Sequence, residues 1–196
     1  FNFNGTNKWN TNNSPCTNFT IEGNASKTVT VTWDTAQNPL GSISGTLTLT
    51  GNSSVNRLFI VSATFGTLKT ISIGGSCTVT PSNCDFRDIA FSTSQDFSSA
   101  TGGSGNCLGN SGITFTSAQT NYWVGNGGSW SDVNKWANSS GGAGASGRVP
   151  LPQDDVVFDA SSFNAGSQTI TMDMPRLGND VTMTNIDSSP TLSKSI

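Results

Sequence analysis

The sequence predicts an all-β fold: a right-handed parallel β-helix or solenoid with long side loops, or alternatively a set of β-sandwich modules. Three observations lead there. Apolar and polar residues alternate over short runs, Gly, Asn, Pro and Ser separate those runs, and the runs recur with a similar Thr-rich texture. Alternation over four to eight residues marks a half-buried strand. Thr and Val suit a pleated surface, while Asn and Gly suit turns. Recurrent strands at steps of roughly ten residues fit a sandwich or a coil of two or three strands. The repeated texture and the variable side loops favour the coil.

In chain order, Phe1-Asn2-Phe3-Asn4-Gly5 reads as a strand entering a turn. Val29, Val31 and Trp33 then lie two apart, as do Leu47 and Leu49, and Ile71 and Ile73. Between them, Leu58-Phe59-Ile60-Val61 reads as a buried strand, with turns at Gly51-Asn52-Ser53, Gly74-Gly75 and Pro81-Ser82-Asn83. A compact strand, Cys84 to Phe91, precedes an excursion from Ser92 to Asn110 that holds four glycines and no strong strand. Gly112-Ile113-Thr114-Phe115-Thr116 is placed to stack on the strand before that excursion. The sequence thus divides into β-solenoid coils over 1–120, a Trp/Gly-rich loop and tether over 121–150, and the start of further coils over 151–196. Both termini stop in strand-like sequence, which reads as a piece of a longer chain.

Composition narrows the function. The 196 residues include no histidine, 11% charged residues and a net charge of −3. The nine Lys and Arg are scattered. A basic stripe that could grip phosphates is therefore missing, which argues against nucleic-acid binding. No apolar run approaches the roughly 20 residues of a spanning helix, so membrane insertion is not expected. The cysteines, Cys16, Cys77, Cys84 and Cys107, fit no zinc spacing. They are either free thiols or one or two disulfides. Closing a loop of about 15 residues contributes roughly 3 kcal/mol. A bridge across the sparsely apolar excursion gains most, so Cys84–Cys107 is the favoured pair, with Cys77 next and Cys16 last.

No catalytic residue, cofactor or metal site is expected. Glycoside hydrolysis needs two carboxylates about 5 to 10 Å apart. Asp85 and Asp88 are candidates, but Arg87 sits between them and a solvated salt bridge is the simpler reading. Asp154, Asp155 and Asp159 have oxygens suited to calcium, but a cap on the turn into a strand at Val156 is simpler. Trp123 and Trp136 are expected to pin the glycine-rich loop. Trp130, flanked by Gly and Ser, is the more exposed ring and the candidate for stacking on a ligand. Thr-x-Thr runs such as Thr46 to Thr50 would make a flat water-ordering rank only if they stacked coil on coil, and their spacing is irregular.

The run Tyr122-Trp123-Val124-Gly125-Asn126-Gly127-Gly128-Ser129-Trp130-Ser131-Asp132, with Asn134-Lys135-Trp136, Ser139-Ser140-Gly141-Gly142, Val149-Pro150 and Asp154-Asp155-Val156-Val157-Phe158-Asp159, carries a resemblance. It resembles a Trp-rich β-solenoid module of tailed-phage virion structural proteins and large bacterial surface or adhesin proteins. Asp85 to Ile89 and Gly109 to Phe115 also look like sequence that precedes such modules in phage proteins. The resemblance covers roughly residues 84 to 186 and brings no catalytic residues. It implies a non-enzymatic structural protein of a virion surface, such as a fibre, spike or decoration protein. The implied partners are other virion or surface proteins, further copies of the chain, and a cell-surface glycan. The alternatives are a bacterial adhesin or surface module, on the cell or secreted, and a polysaccharide-degrading β-helix.

Overall fold

The computed structural model describes residues 15–33 and 42–195, so the expected strand at Phe1–Gly5 lies outside the described residues. The chain divides into two compact units, Phe1–Ser117 and Ala118–Ile196.

The first unit contains β1 (Phe19–Glu22), β2 (Val29–Trp33), β3 (Thr46–Thr50), β4 (Leu58–Ser62), β5 (Lys69–Ile71), β6 (Thr78–Arg87), β7 (Ile89–Asp96), β8 (Thr101–Asn106) and β9 (Ser111–Thr114). Every pairing between these strands is parallel. A tight hairpin cannot join parallel neighbours, so the chain must travel away and return before each new strand is added. Three ranks result. The first half of β6 lies on β3, which lies on β1. The second half lies between β4 and β8, and β4 lies on β2. The third rank is β5, β7 and β9. Sandwich sheets are antiparallel, so the described fold is all-β and partly solenoid-like.

The alternation read from sequence points apolar residues inward. Strand β2 buries Val29, Val31 and Trp33, and β3 buries Leu47 and Leu49. Register then builds ranks from coil-mates: Phe19 on Leu47 on Val79, and Val31 on Ile60 on Phe86. The Phe86 ring, itself fully buried, stacks on Phe97 at 5.6 Å between centroids.

Two expectations are corrected here. Pro81-Ser82-Asn83 is no turn between strands but part of the ten-residue β6. Asn83 has a positive φ of 48°, and this bend hands the strand from its β3 partner to its β4 partner. The excursion from Ser92 to Asn110 also holds strand. Strand β7 runs to Asp96, and β8 occupies Thr101-Gly102-Gly103-Ser104-Gly105-Asn106, a segment with no large apolar side chain. Backbone pairing to β6 holds it, as do polar contacts described below. Strand β9 does pair with β7.

The second unit contains β10 (Thr120–Trp123), β11 (Gly128–Ser129), a 3-10 turn (Val133–Lys135), β12 (Trp136–Ala137), β13 (Asp155–Phe158), β14 (Thr169–Met172), β15 (Val181–Met183) and β16 (Thr191–Lys194). Strands β10, β13 and β15 form one parallel rank, and β11, β14 and β16 form another. Strand β12 folds back antiparallel beside β10, opposing Trp136 to Trp123. The boundary expected near residue 150 falls inside this unit, because β10 pairs with β13 across it.

Candidate functional site

The two carboxylates weighed for hydrolysis are neither solvated nor free. Asp85 and Asp88 are 4% and 5% exposed. The partner of Asp85 is Arg57, a residue that the local sequence did not single out. Arg57 is fully buried and its Nε donates to Asp85 Oδ1 at 2.8 Å. Its remaining donors reach the carbonyls of Cys84, Gly102 and Gly103 at 2.7–2.8 Å. One guanidinium thus ties the entrance of β4 to β6 and to β8. A buried charge needs this degree of satisfaction. Gly102 has no room for a side chain: φ is +67°, and a Cβ would sit 1.8 Å from Asn83 Oδ1.

Asp88 serves the corner at which the second rank turns into the third. It adopts a positive φ of 57°. Its carboxylate accepts from Gly66 N–H at 2.9 Å, its N–H donates to Leu108 O at 3.1 Å, and its carbonyl accepts from Lys69 N–H at 2.9 Å. Arg87, expected to be the ion-pair partner of either aspartate, pairs with Asp88 at 3.7 Å, while Asp85 is taken by Arg57. The Arg87 guanidinium carbon lies 5.5 Å from the Phe59 ring centre and 5.1 Å from that of Phe65.

In the second unit Trp130 is a correction. The ring expected to be exposed is fully buried, as are Trp123 and Trp136. The three indoles and Phe158 form one cluster, with Trp130 4.9 Å from Trp136 and 5.9 Å from Phe158 between centroids. Trp136 Nε1 donates to Trp130 O and Trp123 Nε1 to Asn126 O. A ligand therefore cannot stack on Trp130 while this cluster is intact. Sequence neighbours misled here: small flanking residues let the backbone turn the ring inward. The expected pinning role of Trp123 and Trp136 extends to Trp130.

The Asp154, Asp155 and Asp159 group is dispersed in its contacts. Asp154 is fully buried and accepts from Arg148, from Asn121 and from the N–H groups of Gln119 and Leu151. The Leu151 contact spans the turn into β13, the capping role anticipated from the spacing. Asp155 instead accepts from Asn179, and Asp159 from Ser161. Among the described residues no three acidic, Cys or His groups converge on a common point.

None of the four cysteines is in a disulfide. Cys84 stands opposite Ser104, while Cys107 follows Asn106, the partner of Phe86. Successive side chains alternate across a sheet, so Cys84 and Cys107 point to opposite faces and the expected bridge is not formed. Cys84 is buried, and desolvation raises its pKa to about 12. Loop length, rather than lack of register, explains the irregular Thr spacing: Thr20, Thr48 and Thr80 share one column. Thr80 Oγ1 lies 3.4 Å from Thr48 Oγ1. No family model matches the chain, and neither a curated protein nor a solved structure matches it significantly.

Proposed function

We propose that the chain is a non-enzymatic structural module of a virion surface, belonging to a fibre, spike or decoration protein, with a role in contacting the host surface. In this reading it is a right-handed parallel β-helix that assembles with further copies or with other virion proteins. The observation that carries the proposal is the rank-on-rank parallel stacking of β1, β3 and β6 and of β2, β4, β6 and β8. Crossovers between parallel strands are almost always right-handed, because strand twist feeds the return that way. Such a stack grows by adding coils and leaves edges that other chains can meet. The Trp-rich motif adds its resemblance to phage and bacterial surface modules. The carboxylates are engaged in structure: Asp85 by Arg57, Asp88 by Gly66, and Asp154 by Arg148. That supports a scaffold over a hydrolase.

Mass spectrometry of purified particles tests the proposal. The expected result is recovery of this chain from virions. Its absence there, with recovery from an outer-membrane or secreted fraction, would replace the virion by a bacterial surface. Release of reducing ends from a polysaccharide by the purified chain would overturn the non-enzymatic reading.

A further inference from the structure

Three large hydrophobic side chains of the first unit are exposed among the described residues, and all three lie at one corner. Phe65 is 80% exposed, Leu108 72% and Leu68 45%. Phe65 and Leu68 belong to the link between β4 and β5, and Leu108 to the link between β8 and β9. Asp88, between β6 and β7, holds both links through Gly66 N–H and Leu108 O. The corner is therefore built: the buried Asp88 fixes one of these loops through its carboxylate and the other through its backbone N–H.

A cation stands in the middle of it. The Arg87 guanidinium lies over both Phe59 and Phe65. Its side chain is 30% exposed, and Asp88 at 3.7 Å is beyond hydrogen-bond distance. Among the described residues no acceptor takes a hydrogen bond from it, and its buried Nε, which faces Asp88, has no hydrogen-bond partner. Two rings thus flank a guanidinium whose terminal Nη groups donate to no acceptor among the described residues. Arg57 shows the contrasting case, with its donors consumed by protein acceptors. The pair of Nη groups of a planar guanidinium matches a carboxylate with two parallel hydrogen bonds.

We propose that Arg87, Phe65, Leu68 and Leu108 form a binding site for a carboxylated sugar of an acidic surface glycan. The carboxylate meets the Arg87 fork. The apolar C–H face of the sugar ring lies on Phe65 and the flanking leucines, and its hydroxyls meet the exposed Thr64 and Thr67. The inference rests on the surface-contact role proposed above and names its ligand class.

The test is binding of the 196-residue chain to polygalacturonate, alginate and polysialate, with methyl-esterified polygalacturonate and dextran as neutral controls. Binding to at least one acidic polymer is expected, weakened by salt and lost on esterification. Phe65→Ser and Arg87→Gln are each expected to weaken it at least tenfold. Phe65 is so exposed that its replacement leaves the core intact, and circular dichroism checks both variants. Failure of the parent chain to bind any of the three polymers overturns the site. So does equal binding of the esterified polymer, undiminished binding by Phe65→Ser, or equal binding of poly-glutamate, which would show charge alone. Presence on virions without acidic-glycan binding defeats this inference only. Glycan binding by a chain absent from virions defeats only the virion assignment.

Discussion

Replacing Arg57 by methionine keeps much of the side-chain volume and removes every donor from a fully buried position. Asp85 would then be a buried carboxylate without its cation, and the carbonyls of Cys84, Gly102 and Gly103 would lose their partner. Removing one member of a buried ion pair costs about 3–5 kcal/mol. Each orphaned carbonyl adds about 1 kcal/mol unless water enters. The expected loss is on the order of 5 kcal/mol, a large part of the ~5–15 kcal/mol that stabilises a typical domain. The effect should be local first: β8 has no large apolar side chain, so its attachment depends on the β6 ladder and on this guanidinium. Hydrogen exchange of peptides spanning 100–106 would read the local opening, and urea unfolding would read the total. The double variant Arg57→Met with Asp85→Leu removes the stranded charge, and should recover at least ~2 kcal/mol relative to the sum of the single changes. An Arg57→Met loss under ~1 kcal/mol, or additivity in the cycle, would refute the view that this residue anchors β8.

Two further predictions concern buried groups that the sequence presents as ordinary. With its pKa pushed up to about 12 from 9.0, Cys84 keeps its proton in the native state where the unfolded chain releases it. Its contribution to stability is therefore fully present below pH 9.0 and is lost as pH rises toward about 12; a stability profile of a Cys84→Ala variant should lack that decline. Trp130→Ala should destabilise the second unit by about 3–5 kcal/mol. Trp130→Phe should cost less than Trp136→Phe, because only the latter removes the hydrogen bond to Trp130 O. Denaturant unfolding followed by tryptophan fluorescence would rank the three variants, and equal losses for the two Phe variants would count against the described cluster.

The sequence by itself determined that the chain is all-β and which side chains of most strands point inward. That information is local. A side-chain period of two makes Val29, Val31 and Trp33 legible as one buried face, with no knowledge of what lies beyond it. The Asp154 turn was legible for the same reason, since its contact with Leu151 spans three residues. What only the tertiary structure decided is which strands become neighbours. Parallel coil-mates are separated by loops of unequal length, so the column Thr20, Thr48 and Thr80 has no regular spacing to betray it. Strand β8 was invisible because its stability comes from partners distant in sequence, notably Arg57, 45 and 46 residues from the two carbonyls it binds. Trp130 and the Cys84–Cys107 pair were misjudged on the same ground. Burial and facing depend on the fold-back of β12 and on the register of β8 against β6, and these are set by long-range pairing.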